Sequence, residues 1–284
     1  MREGRFLIKF GIYKKFTNGV IDPRCSVLSP DIRECIPLFV DTAPTLCYNY
    51  DRALSGTKVL QKGTFEMTYE DIVKNKEILE YYQRACIILD SLGYTDHSTA
   101  HTKLVAERAA ELLRAFEYGQ DVIELARIAG FMHDIGNAIN RHNHAEYGAL
   151  LANEILKETD MPLPDRVQIV SAIANHDESH GVASDPVSAA LIIADKTDVR
   201  RSRVRVKDPM LFDVHDRVNY AVTATRLRYG LEERRITLYL TIDENICTMY
   251  DYFDIFLDRM TMCSQAARVL DTQFSLKVNG QRVL

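Results

Sequence analysis

The chain has 284 residues, of which 46% are apolar and 26% charged, and 35 basic against 40 acidic side chains give a formal net charge of −5. Such a chain buries a sizeable core and has the composition of an ordinary globular protein. The acidic balance speaks against a broad nucleic-acid-coating surface, although a local basic patch remains compatible with it. No apolar run approaches the roughly 18 residues of a membrane span, and the first residues lack the apolar core of about 7 to 15 residues that marks a signal peptide. A cytoplasmic protein is the expectation. Six cysteines without any Cys-x-x-Cys spacing read as reduced thiols.

Residues 1–64 show no helical period, and turn signals at Asn18-Gly19, Asp22-Pro23 and Ser29-Pro30 separate short apolar runs. This pattern predicts a β-rich or irregular N-terminal segment. A helix is expected from Thr68 to Gly93, capped by Thr68 with Asp71 three residues on and burying Ile72, Ile78, Leu79, Tyr82, Cys86 and Leu89. The next runs from about Ser98 to Tyr118, with His101 on the same stripe as Val105, Ala109 and Leu112. Asp121, with Glu124 completing a capping box, opens a third that ends at His133-Asp134. A helix C-terminus carries negative potential and favours a cation there.

His144 begins another helix, which runs through Leu156, and a further one from Asp165 to His176 turns Val167, Val170 and Ile173 inward. Asp185-Pro186 is a cap followed by a first-turn proline, and the apolar run Leu191 to Ala194 leads into Asp195 in mid-helix. A carboxylate so placed lies deep in a bundle and needs a partner, for which a metal serves. Beyond Arg205 two strands are expected at Val218–Leu227 and Ile236–Ile242, turning at Tyr229-Gly230. An amphipathic helix from Ile246 to Leu270 and a strand pair around Asn279-Gly280 complete the chain. The domains expected are residues 1–64, a helical metal-binding domain at 65–208, and a separate α+β appendage at 209–284.

The ordered set His101, His133, Asp134, His144, His176 and Asp195 can supply the ligands of a two-metal hydrolytic site. Asp134 would bridge, with His101, His133 and Asp195 on one metal and His144 and His176 on the other. His133 and Asp134 are the expected catalytic pair. Each imidazole must be neutral to bind, so affinity falls as pH drops. His97, one turn before His101, is a candidate ligand or supporting group. Lys103, Lys196 and Arg200 are candidates for substrate phosphate, since cations beside a metal site hold phosphate oxygens. His142 reads as a solvent-facing or substrate-facing group, and His180 and His215 read as structural.

The stretches His101-Thr-Lys-Leu-Val105, Ala129-Gly-Phe-Met-His-Asp-Ile-Gly136, His144-Ala-Glu-Tyr-Gly148, Asn175-His176 and Ala194-Asp195-Lys196 closely resemble the HD superfamily of metal-dependent phosphohydrolases. That resemblance covers about residues 95 to 205 and implies a mainly α protein built on an HD-domain helical bundle. His144 and His176 match its dinuclear branch, which implies two divalent transition metals from among Fe, Mn, Ni, Co and Zn, with Mg as another choice. Asn137 stands where many relatives carry lysine. The Gly-Tyr-Pro signature of cyclic-di-GMP phosphodiesterases and a KH-type Gly-x-x-Gly loop are both missing.

The function expected is hydrolysis of a phosphomonoester or phosphodiester, of a nucleotide by preference, by metal-activated hydroxide. The partner is a small-molecule phosphoester, with no membrane, and a homo-oligomer is expected. Two rival readings are an HD-type di-iron oxygenase and a non-catalytic nucleotide-sensing module.

Overall fold

The computed structural model describes residues 67–206 and 212–284, together with a two-residue antiparallel strand pair, β1 (Phe16–Thr17) and β2 (Val20–Ile21). The β-rich or irregular segment expected at residues 1–64 otherwise lies outside the described residues, as do Cys25, Cys35 and Cys47. From Thr64 to Leu284 the chain forms one compact unit, mostly helical with a small C-terminal sheet. No helix among the described residues is long and apolar enough to cross a membrane.

Thr68 and Asp71 form the expected capping box, but the helix they open, α1 (Tyr69–Ile72), lasts one turn. Asn75 then caps α2 (Lys76–Leu92), its side chain accepting from the Glu77 and Ile78 amides, so the single helix expected here is two. This second cap resets the phase of the buried stripe. Ile78, Tyr82, Ala85 and Leu89 are buried, whereas Leu79 is exposed and Cys86 half-buried. Gly93 ends α2 with φ at 77°, a left-handed cap that glycine adopts without steric cost.

Next come α3 (Thr99–Ala115), capped by Ser98, and α4 (Gln120–Met132), whose N-cap is Gly119 rather than the expected Asp121. Glu124 does not complete a box on α4. It accepts instead from the Tyr69 amide at 2.6 Å and so ties the start of α1 to α4. The helices α3 and α4 cross closely at small residues. A Cβ added at Gly130 would lie 2.8 Å from the Ala106 Cα and 2.9 Å from its nitrogen, inside any allowed contact. This crossing brings the start of α3 beside the end of α4.

A 3-10 turn (Ile135–Ala138) leads to α5 (His144–Lys157), followed by α6 (Leu163–Ala174) and α7 (Pro186–Lys196). Pro162 caps α6, and Val167, expected inward, is exposed. Asp185 caps α7 through the Val187 and Ser188 amides, with Ser188 closing the box. The buried face of α7, from Val187 to Ala194, makes it the central helix of the bundle. Asp195 is its penultimate residue rather than a mid-helix one.

The C-terminal segment corrects two expectations. Val218 lies in a helix, α8 (Val214–Ala221), because Asp213 caps it by accepting from the Asp216 amide at 2.7 Å. β3 (Val222–Gly230) therefore starts later and keeps Tyr229 and Gly230, so the turn to β4 (Arg235–Ile242) is Leu231–Arg234. After α9 (Met249–Val269) come β5 (Gln273–Val278) and β6 (Gln281–Arg282). The sheet order is β3-β4-β5-β6, antiparallel except for the parallel β4-β5 pair that α9 connects. Asn279 and Gly280, at φ 50° and 83°, make the last tight turn where the sequence placed it. α9 packs on α7, and its Tyr252, Phe256, Met260 and Cys263 join the same hydrophobic core as the bundle.

Substituting Gly130→Ala forces backbone apart at the α3–α4 crossing and is expected to cost about 1–3 kcal/mol. In a thermal melt this lowers Tm by roughly 5 °C; an unchanged Tm would mean that the crossing is not tight.

Candidate metal centre

Five helix ends meet at one point. α3 supplies His101 from its first turn, α4 ends at Met132 and hands on His133-Asp134, α5 begins at His144, His176 follows α6, and Asp195 closes α7. The approach of α5 depends on Gly136. A Cβ there would lie 2.0 Å from the His144 carbonyl oxygen and 2.4 Å from the Gly148 nitrogen, so only glycine lets the two turns touch.

The six residues singled out in the sequence converge. His101 Nε2 lies 3.3 Å from Asp195 Oδ1 and 3.8 Å from Asp134 Oδ2, and His133 Nε2 lies 3.7 Å and 3.3 Å from the same two oxygens. His144 Nε2 lies 3.6 Å from the other Asp134 oxygen, Oδ1, and the His176 ring stands 4.9 Å from that of His133 and 5.0 Å from that of His144. Two overlapping groups have mutually close ligand atoms: His101, His133 and Asp195, and His133, Asp134 and His176. All but Asp195, which is half-buried, are buried.

The outer nitrogens decide the protonation. His133 Nδ1 lies 2.8 Å from the Gly130 carbonyl, His144 Nδ1 3.2 Å from that of Arg141, and His176 Nδ1 2.7 Å from that of Ile173. A carbonyl only accepts, so each Nδ1 donates and each neutral ring turns a bare Nε2 lone pair inward. His101 Nδ1 points likewise at Asp198 Oδ2, 2.7 Å away. As a result His101 Nε2, His133 Nε2 and Asp134 Oδ2 are buried without a hydrogen-bond partner. Buried lone pairs facing one another need a cation between them. The donor set of imidazoles and carboxylates suits a divalent transition metal.

Electrostatics agree with an ionised, metal-ready cluster. Burial would raise the Asp134 carboxyl, but His133, His97 and His144 hold it well below the usual carboxylate range. Asp195 behaves alike, with Lys196 and His133 overriding burial. Burial and the neighbouring His133 and His144 push His176 down to about 3, so this ring stays neutral. For His133, burial works against the charged ring, yet Asp134 and Asp195 win and raise it.

Around the cluster lie supports that the sequence reading missed. Asp198, fully buried, orients His101 and is itself held by Arg200 Nε at 2.7 Å, Arg108 at 3.5 Å and Arg203 at 3.8 Å. Asn137, in the position where lysine is common, donates Nδ2 to Asp134 Oδ1 at 2.9 Å and receives Arg141 at 3.2 Å. Lys196 Nζ bridges Asp195 at 2.8 Å and Glu178 at 2.7 Å, and Glu178 also takes Arg259 of α9 at 2.9 Å. The signals for Asp198, three residues past Asp195, and for Glu178, two past His176, were in the sequence. Arg259 offered none, because only the fold brings it near.

A cavity of about 440 Å³ opens onto the cluster, lined by Asp134, His144, His176, Asp195 and Lys196 and also by Arg141, His142, His180, His215 and Arg259. His97 reaches it too; its Nδ1 bonds the Thr95 carbonyl at 2.7 Å and its ring stands 5.8 Å from His101, beside the cluster and outside both ligand groups. Two of the three phosphate candidates lie elsewhere. Lys103 points outward on α3, and the Arg200 guanidinium is spent on Asp198; neither lines the cavity. His180 and His215, read as structural, do line it.

Asp198→Ala is expected to weaken divalent-metal affinity by about 10- to 100-fold in equilibrium dialysis, whereas unchanged affinity would show that His101 needs no such support. Because His133 holds its proton more firmly than an ordinary histidine, metal affinity is expected to fall as the pH is lowered from about 8 to about 5. A flat profile in the same dialysis would contradict the ligand assignment.

The residues of this cluster fall within a segment that matches a known family. A family model described as HD domain matches residues 99–209. An uncharacterized protein of Methanocaldococcus jannaschii is 26% identical over 196 residues, covering 61% of this chain and 75% of that protein. A crystal structure of a predicted HD superfamily hydrolase from an uncultured Thermotogales bacterium is 23% identical, covers 47% of this chain and 75% of its own, and superposes with a TM-score of 0.35. The helical segment that carries His101, His133-Asp134 and Asp195 is an HD domain.

Proposed function

We propose that this protein is a metal-dependent phosphohydrolase acting on a phosphomonoester or phosphodiester, by preference of a nucleotide. The observation that carries the reading is the buried trio of unpartnered donor atoms, His101 Nε2, His133 Nε2 and Asp134 Oδ2, of which Asp134 lines an open cavity. His101, His133, Asp134, His144, His176 and Asp195 would hold two divalent transition metals. When bound, such metals act as Lewis acids toward phosphate oxygens and make water a nucleophile near neutral pH.

The protein's own groups have separable tasks. Asp134 offers one oxygen to the His101–His133 side and the other to the His144 side, which is the arrangement a bridging carboxylate requires. Asn137 fixes its orientation. Lys196 is buried and held charged between Asp195 and Glu178, so it balances the acidic floor and is largely engaged there rather than free for substrate. At the wall, Arg141 and Arg259 bring positive charge, and His142, His180 and His215 bring groups that can hold or move a proton. Arg141 at the wall, beside a metal-binding floor, suits a phosphate ester, whose anionic oxygens can face both, whereas Arg259 is held by Glu178. The volume of about 440 Å³ accommodates a ligand of nucleotide size.

The test is phosphate release from a panel of nucleotides and p-nitrophenol release from bis-p-nitrophenyl phosphate by anaerobically purified protein, before and after chelation. Activity is expected to vanish with chelator, to return with Mn²⁺ or Fe²⁺, and to fall by roughly three orders of magnitude or more in Asp134→Ala. Phosphate release that survives chelation, or dioxygen uptake in place of hydrolysis, would contradict the proposal.

A further inference from the structure

The outer face of the C-terminal sheet is polar and basic, and nothing in the metal-centre chemistry uses it. Along β4 the side chains alternate. Ile236, Leu238, Leu240 and Ile242 are buried on the face that α9 covers, which leaves Arg235, Thr237, Tyr239 and Thr241 on the other. Register then places partners on that same face. Thr237 lies between Arg228 and Ser275, Arg226 pairs with Tyr239, and Lys277 lies between Tyr239 and Arg282. Five cations, Arg226, Arg228, Arg235, Lys277 and Arg282, thus share one sheet face in a chain of net charge −5.

Four of these cations, all but Arg226, surround a concavity of about 210 Å³, with Thr237 and Ser275 at its floor and Tyr239 in its wall. Among the described residues, none of the five is paired with an aspartate or glutamate side chain. Arg235 reaches the Gln273 amide oxygen at 3.2 Å, Arg282 the Leu284 carbonyl at 3.3 Å, and the Lys277 ammonium sits 5.5 Å from the centre of the Tyr239 ring. Arg235 Nε is buried with no partner at all. Glu233, in the β3–β4 turn, is the one acidic side chain at the rim. Like charges gathered this closely repel, so the face is stabilised by an anion.

We infer that this concavity is a binding site for a nucleoside phosphate, distinct from the metal centre. Guanidinium groups and an ammonium match phosphate oxygens, Thr237 lines the concavity with a hydroxyl, and the Tyr239 ring offers a plane for the base, while the Ser275 hydroxyl donates to the Leu284 oxygen at 2.6 Å. The occupant is small. The concavity that four of these cations share is bounded by Glu233 at the β3–β4 turn, whereas a polymer needs a basic track that continues. Nor does the chain's own N-terminal segment suit the face by charge, since Met1–Gly63 holds more lysine and arginine than aspartate and glutamate.

The test is calorimetric titration of the full-length protein with ATP in the presence of EDTA, so that no metal contributes. Wild-type protein is expected to bind, and the Arg228→Glu/Lys277→Glu pair to weaken binding by about tenfold or more. Arg228 is exposed and Lys277 half-buried on the outer sheet face, and an unchanged thermal melt would show that the pair folds. Tyr239→Ala is expected to weaken ATP binding while leaving inorganic phosphate binding unchanged, which separates recognition of the nucleoside from recognition of the phosphate. Three results would overturn the inference: no binding by wild type, equal binding by the charge-reversed pair, or tighter binding of a single-stranded oligonucleotide than of ATP. None of these readouts depends on the hydrolytic reading.

Discussion

Everything at the core of this protein follows from lone pairs that point at one another. Three imidazoles spend their outer N–H on backbone carbonyls and a fourth spends it on Asp198, so each offers the interior a bare nitrogen. Two carboxylates, held ionised, face those nitrogens. Left alone, such a cluster is repulsive and badly solvated, and burial of each unsatisfied polar atom costs about 1–3 kcal/mol. A multivalent cation turns every one of those liabilities into a bond.

The fold serves that constraint. Backbone contact at Gly130 lets α3 and α4 cross with His101 beside His133, and contact at Gly136 lets α5 deliver His144 against Asp134. α7 runs through the centre with a buried body, apolar from Ala189 to Ala194, and ends in Asp195-Lys196, where the cluster begins. The α+β segment is not a bystander, because Arg259 of α9 holds Glu178, which holds Lys196, which holds Asp195. A continuous chain of ion pairs therefore links the C-terminal helix to Asp195, a candidate ligand of the proposed metal centre.

Much of this was legible in the residues. Caps at Ser98 and Asp185, the apolar stripes of α3 and α7, and the position of His133-Asp134 at a helix end all follow local rules that tertiary packing does not override. What was not legible depended on competition between neighbours. Asn75 outcompeted helix continuation after Ile72, Glu124 was drawn to the Tyr69 amide instead of its own helix, and Asp213 converted an apolar run at Val218 from strand to helix. For the site, the six ligand candidates shared a sequence pattern, but their supports did not. Asp198 carries its meaning only once three arginines converge on it, and Arg200, read as a free cation, is one of those three.

The central claim is that His101, His133, Asp134 and their neighbours are a metal centre. Anomalous diffraction at the manganese edge, from crystals grown with Mn²⁺, addresses it most directly. The account predicts anomalous density within about 2.0–2.3 Å of His101 Nε2, His133 Nε2 and an Asp134 oxygen. Crystals whose cluster shows no anomalous density at saturating Mn²⁺, with these side chains in the same places, would contradict it.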